Sequence, residues 1–197
     1  MHQPAENLQV IREVAGAFAR LQIPYAIGGS IASSVLGIPR FTQDADLTVE
    51  PFPCRESELA GCFGSDYYIS VPAIVQAVRS RSSFNIINTR VGFKVDVFIR
   101  KDRPFEKGVF DRRLQVSLPD CPEQPLSLVS AEDVVLLKLE WYRLGDETSD
   151  RQWSDILGVL RVQAGRLDER YMEQWASVLR VSDLLAKARD EVNRMHQ

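Results

Sequence analysis

Between Asp44 and Glu50 the chain alternates without a break. Asp44, Asp46, Thr48 and Glu50 fall on one side, and Ala45, Leu47 and Val49 on the other. A period of two is the mark of an extended strand with one buried face and one open face. A second run, 93–100, repeats the pattern, with Val95, Val97 and Ile99 against Lys94, Asp96 and Phe98. Strands of this kind need partners, so the chain must build a sheet. Tyr25–Ile27, 84–89 and 114–118 supply further strand-like runs, with Gly92 in the turn before the second alternating run.

Helical periodicity surrounds these strands. Leu8, Ile11, Ala15, Phe18 and Leu21 make one stripe, which predicts an amphipathic helix over 5–21 ended by Pro24. A short helix is expected over 31–36, closed by Gly37 and Pro39, a weak one before residue 63, and another over 72–79 with proline in its first turn. The proline-rich stretch 119–127 reads as a crossover loop. After Ser130 the character changes. Ser130 reads as an N-cap with Glu132 and Asp133 in the first turn, and helices are predicted over 131–144, 151–164, 168–180 and 182–194. The expectation is an α+β protein: a small mixed sheet with flanking helices over 1–118, then a helical bundle over 119–197 packed on that core.

Composition narrows the chemistry. The chain has two histidines in 197 residues, His2 and His196, both at its ends. A Ser-His-Asp or Cys-His system, or a His-ligated zinc enzyme, has nothing to be built from. Cys54, Cys62 and Cys121 form no CxxC pair and read as free thiols in a reducing, cytoplasmic setting. No run approaches the ~18 apolar residues of a membrane span, and no signal peptide is visible. The net charge of -3 conceals a pattern. Residues 79–113 carry ten bases and four acids, and 19 of the 24 basic residues are arginine. Solvated helix faces account for such a surface, and so does a polyanion partner met through Arg79, Arg81, Arg112 and Arg113.

Three features carry chemistry. Gly28-Gly29-Ser30 lies between a strand and a helix, where backbone amides can approach a phosphate closely; such turns are also common in plain loops. Asp44 and Asp46 share one face of a strand. Two carboxylates so close repel unless a cation neutralises them, and a hard divalent ion would do so; a solvated strand edge is the bland alternative. Asp96 stands alone in a strand that reads as largely buried, so it must be paired, metal-bound or protonated; Lys94 is on the same face. Lys138 interrupts the apolar run of its helix and must either snorkel or find an anion, for which a nucleotide phosphate or Asp155 would serve. Trp141, Trp153 and Trp175 fall in helical stripes and read as core.

Taken in order, Ile27-Gly28-Gly29-Ser30, then Asp44-Ala45-Asp46-Leu47, then Val95-Asp96-Val97 resemble the nucleotidyltransferase superfamily that includes DNA polymerase beta. Arg40 and Thr42, just before the acids, match the Arg-x-Thr of many small members. The segments 130–139 and 150–156 are similar to AbiEii-like nucleotidyltransferases, which include toxins of type IV toxin–antitoxin systems; Gln152 stands where an acid is usual in that motif. The resemblance implies transfer of a nucleotidyl group from an NTP to an RNA, protein or small-molecule hydroxyl. It implies Mg2+ or Mn2+ held by Asp44, Asp46 and Asp96, with Asp96 as third ligand or as base. It implies NTP binding by Gly28, Gly29, Ser30, Arg40, Thr42 and Lys138, with Asp155 orienting Lys138. The partners implied are an NTP, an acceptor such as tRNA or another RNA, and an antitoxin. A nucleotide-binding or partner-binding protein without turnover is the alternative.

Overall fold

The computed structural model describes residues 3–118 and 121–195, without the side chains of residues 3–5, 118, 121 and 122. His2, His196, Pro119, Asp120 and the Cys121 thiol therefore lie outside the description. Cys54 and Cys62 are free thiols.

The chain divides into two units, 1–28 with 41–128, and 29–40 with 129–197. The first holds a sheet. Its strands are β1 (Tyr25–Ile27), β2 (Asp44–Val49), β3 (Tyr67–Tyr68), β4 (Ser83–Asn88), β5 (Phe93–Ile99), β6 (Leu114–Leu118) and β7 (Cys121–Leu128). Among the described residues these seven form one mixed sheet in the order β3-β4-β5-β2-β1-β7-β6. β2 runs antiparallel to β1 and parallel to β5. The helices of this unit are α1 (Gln3–Arg20), α3 (Glu56–Gly61), α4 (Val71–Ser80) and α5 (Pro104–Asp111).

Alternation does what the sequence requires of it. Ala45, Leu47 and Val49 are buried while Asp44, Asp46 and Thr48 stay partly open, and β5 repeats this with Val95, Val97 and Ile99 inside. The apolar face of α1 contributes Val10, Ile11, Val14, Ala17 and Phe18 to the buried core. Phe52 meets both Phe18 and Phe84 edge to face, at ring separations of 6.1 and 6.4 Å.

One expectation is overturned. The stretch 119–127, read as a loop, is strand from Cys121 onward. β7 pairs antiparallel with β6, but its register with β1 runs through Leu128 alone. Most of its length thus has one neighbour, and proline, which cannot donate to a ladder, is tolerated there. α5, left unassigned in the sequence, starts with Pro104 in its first turn and buries Phe105, Val109 and Phe110.

The second unit is helical: α2 (Gly29–Leu36), α6 (Ala131–Leu144), α7 (Asp150–Val162), α8 (Glu169–Val178) and α9 (Ser182–Met195). Ser130 caps α6, its hydroxyl accepting from the Asp133 amide, with Glu132 and Asp133 in the first turn. Ser149 and Asp168 cap α7 and α8 in the same way. Asp133 is fully buried, where it accepts from the Ser130 hydroxyl at 2.8 Å and from the Tyr171 hydroxyl at 2.7 Å. The segment after α2 meets α7 at Gly37: a Cβ there would lie 2.8 Å from both the Ser33 carbonyl and the Val159 amide. Trp141, read as core, is instead 54% exposed. Trp153 is only partly buried; its indole N–H donates to Glu191 and its ring packs on Tyr142. Together the units form an α+β fold with a mixed sheet and a C-terminal set of helices.

Candidate active site

The carboxylates belong to the sheet unit. Parallel pairing of β2 with β5 sets Asp46 opposite Asp96 and Asp44 opposite Lys94. Neighbouring strands lie about 4.8 Å apart, so period two brings three acids and one lysine onto a single half-open face. Antiparallel pairing of β4 with β5 adds Asn85 opposite Asp96. Lys94 Nζ donates to Asp96 Oδ2 at 2.6 Å, and the Asn85 amide, with its nitrogen toward the acid, donates to Oδ1 at 2.9 Å. The Asp96 hydrogen bond holds the Lys94 ammonium above its ordinary pKa against the cost of burial, helped by the charges of Asp44 and Asp46. Thr42 Oγ1 lies 3.0 Å from Asp44 Oδ1 and 3.2 Å from the Asp44 carbonyl, so it steadies the start of β2. The glycine turn is tied to the same strand, since the Gly28 amide donates to the Asp46 carbonyl at 2.9 Å. Asp96 is less enclosed than its strand suggested, its side chain being 18% exposed.

These acids offer only hard oxygen donors, which suit Mg2+ or Mn2+. Among the described residues no three His, Cys, Asp or Glu side chains converge as a formed metal cluster. The fit is therefore one of donor chemistry and register, and a cation on Asp96 would share the carboxylate with the Lys94 ammonium on Oδ2.

The cations belong to the helical unit. Arg40 binds Asp155 with both prongs of its guanidinium, Nε to Oδ1 at 2.7 Å and Nη2 to Oδ2 at 2.8 Å. Lys138 Nζ adds a third donor to Oδ2 at 2.8 Å. Arg40 Nη2 also reaches the Ser30 hydroxyl at 2.6 Å, and the Ser34 hydroxyl meets the Arg40 backbone. Bidentate charge-assisted bonds of this kind are strong and orienting. The Asp155 side chain is 4% exposed and that of Lys138 10%. Burial pushes the Asp155 carboxyl up, but the hydrogen bonds from Arg40 and Lys138 outweigh it and hold the pKa below the ordinary value. The run of α2 begins at Gly29, whose φ of 53° is left-handed, a conformation glycine adopts without strain.

The structure thus gathers Asp44, Asp46, Asp96, Thr42 and Gly28 in one unit, and Gly29, Ser30, Arg40, Lys138 and Asp155 in the other. Sequence reasoning missed Asn85, whose only signal was its position on the open face of an alternating strand. It also missed the direct contact of Arg40 with Asp155, since 115 residues separate them.

No family profile matches the sequence, and no curated protein matches it. Solved structures do match. An antigenic nucleotidyltransferase-like protein from Paracoccidioides brasiliensis shares 18% identity at a TM-score of 0.57, over 93% of this chain and 92% of that one. The crystal structure of ANT(2'')-Ia in complex with adenylyl-2''-tobramycin shares 16% identity at a TM-score of 0.51, over 87% and 95%. The solution structure of ANT(2'')-Ia, an antibiotic-resistance factor, shares 18% identity at 0.50, over 99% and 100%. At these identities the likeness is one of fold. The chain accordingly has an α+β, nucleotidyltransferase-like fold along nearly its whole length.

Proposed function

We propose that this protein transfers a nucleotidyl group from an NTP to an acceptor hydroxyl with the help of Mg2+ or Mn2+. The observation that carries the reading is the register of β2 and β5, which puts Asp46 beside Asp96 with Asp44 one step away, next to a glycine turn held to the same strand. Asp44 and Asp46 hold the ion, with Asp96 as third ligand or as the base. When bound, the ion neutralises charge on the phosphates and on the departing pyrophosphate. The acceptor oxygen forms a bond to the α-phosphorus, the bond from that phosphorus to the bridging oxygen breaks, and pyrophosphate leaves. The acceptor proton passes to the Asp96 carboxylate. Gly28, Gly29 and Ser30 bind the triphosphate, with Arg40 and Lys138 neutralising it and Thr42 holding Asp44. Asp155 positions Arg40 and Lys138; Lys138 has three N–H donors, of which Asp155 takes one. In this reading 1–118 is the catalytic core and 119–197 the region that supplies the lysine.

The acceptor is an RNA, a protein or a small molecule. The small-molecule reading is supported by the tobramycin adduct bound to a protein of this fold. The toxin reading, with tRNA or another RNA as acceptor and an antitoxin as partner, is supported by the AbiEii-like segments around Lys138 and Asp155. A second reading, nucleotide binding without turnover, is favoured by the Lys94 ammonium seated on Asp96. Titration of each NTP with and without Mg2+, alongside release of pyrophosphate, tests both. Mg2+-dependent binding with release supports the transferase; binding without release in the presence of all three acceptor classes supports the second reading; no binding overturns both.

A further inference from the structure

The residues in register with the three acids on the open face of the sheet include one cation, Lys94. It pairs with Asp44 across the strands, as Asp96 pairs with Asp46. The two β5 residues are joined in turn by the bond from Lys94 Nζ to Asp96 Oδ2 at 2.6 Å. The flanking positions are uncharged: Phe98 stands between Thr48 and Ser83, and Ile87 lies across Lys94 from Asp44. Asn85, opposite Asp96, puts its amide nitrogen on Oδ1 at 2.9 Å. Both oxygens of Asp96 therefore carry a donor supplied by the protein itself.

Solvent access does not force this arrangement. The Lys94 side chain is 40% exposed, and a lysine that reaches water ordinarily carries its ammonium outward. Here the ammonium lies on the acid two residues along the same strand. Three carboxylates and one ammonium leave a formal charge of -2, which a single divalent ion cancels. Phosphoryl transfer in a two-metal site places one ion at the attacking oxygen and one at the leaving oxygen, about 3.5–4 Å apart. A second divalent ion on Asp96 would sit beside a fixed ammonium, and like charges that close repel. The ammonium has donors left to act in that place, because Asp96 takes one of its three N–H groups.

We infer that Lys94 stands in for one of two cations: this protein takes a single Mg2+ or Mn2+, on Asp44 and Asp46, and the Lys94 ammonium is the second positive charge at the acids. The inference rests on the transferase reading for the ion and the NTP, and adds to it a residue and a count. The bonds made and broken stay as given above. Lys94 keeps its proton throughout, and its charge acts beside Asp96, where the acceptor hydroxyl gives up its own.

The test counts ions on the full chain. Mn2+ is titrated into protein saturated with each α,β-methylene NTP, which cannot release pyrophosphate, and the paramagnetic resonance of the free ion is followed against nucleotide-only blanks. Wild type is compared with Lys94→Met, Lys94→Arg and Asp96→Asn, with circular dichroism reporting the fold of each. Wild type should bind one ion per chain. Lys94→Arg keeps the charge and should also bind one. Asp96→Asn should still bind one, because the ion is on Asp44 and Asp46. Lys94→Met should bind two, and the pair should show the spin coupling of neighbouring ions. Two ions on wild type, a single ion on folded Lys94→Met, or loss of the ion in Asp96→Asn overturns the inference and leaves the transferase reading standing. The expected counts without pyrophosphate release from natural NTPs and all three acceptor classes support the inference and sink that reading. No ion on wild type overturns both. If Lys94→Met does not fold, the counts on wild type, Lys94→Arg and Asp96→Asn decide by themselves.

Discussion

Replacing Lys138 with methionine should destabilise the protein, and replacing Asp155 with alanine should destabilise it more. Asp155 accepts three hydrogen bonds, two from Arg40 at 2.7 and 2.8 Å and one from Lys138 at 2.8 Å. In Lys138→Met the thioether chain refills the apolar path of the lysine stem, and Arg40 still satisfies the carboxylate with both prongs. The loss is one hydrogen bond between charged groups, worth about 1.5–3 kcal/mol. In Asp155→Ala the ammonium of Lys138, on a side chain only 10% exposed, keeps its burial and loses its anion. Removing one partner of a buried pair costs about 3–5 kcal/mol. For a chain near 200 residues 1 kcal/mol moves Tm by roughly 2–4 °C, so the expected losses are about 3–12 °C and about 6–20 °C. Thermal unfolding at pH 7 by circular dichroism measures both. A neutral or stabilised Lys138→Met, or an Asp155→Ala milder than it, would refute the view that Asp155 is the anion that Lys138 was buried to meet.

The same carboxyl sets a pH signature. Its folded pKa lies below the ordinary aspartate value of about 3.9, so its share of stability is full above that value and is lost as pH falls through the lower, folded one. The Tm gap between wild type and Asp155→Asn should stay flat from neutral pH down to about 5 and narrow below about 4; a gap that widens in acid would contradict the sign. Gly37→Ala should cost about 1–3 kcal/mol and weaken NTP binding, because the new Cβ would sit 2.8 Å from the backbone of Val159 and α2 carries Ser30; urea unfolding and NTP titration check it. If the basic stretch receives RNA through Arg79, Arg81, Arg112 and Arg113, RNA affinity should fall steeply with salt. Of these, Arg81 donates to the Arg100 carbonyl and Arg113 lies over the Phe110 ring, so Arg79→Ala should lower the salt slope more than Arg113→Ala in filter-binding assays.

Much of the fold could be read from the chain because its strongest signals are local. Period two over 44–50 and 93–100 depends only on which side chains face water, and both strands appear with the expected side inward. The cap at Ser130 is likewise a short-range bond. What was not legible depended on partners distant in sequence. β7 contains Pro122 and Pro125 and reads as loop until its one-sided pairing is known. Trp141 sits in an apolar run of α6, and periodicity alone could not show that its side of the helix faces water. In the site, the order of glycine turn, paired acids and third acid was visible, because each motif is contiguous. The Arg40–Asp155 clasp was not: it joins residues 115 positions apart, and nothing in either neighbourhood announces the other. Lys138 lay between these cases. Its burial cost could be inferred from its neighbours, and the structure identifies the anion beside it as Asp155.

Three carboxylates on β2 and β5 are proposed to support nucleotidyl transfer. The direct measurement follows label from each α-32P NTP, with Mg2+, into RNA, protein and small-molecule acceptors. Wild type is compared with Asp44→Asn/Asp46→Asn. Relief of repulsion between two like charges on one face should leave the double variant as stable as wild type or more so, so folding does not confound the result. Wild type should label one acceptor class in a Mg2+-dependent way, and the double variant should label none. Labelling that persists in the double variant, or no labelling of any acceptor by wild type from any NTP, would contradict it.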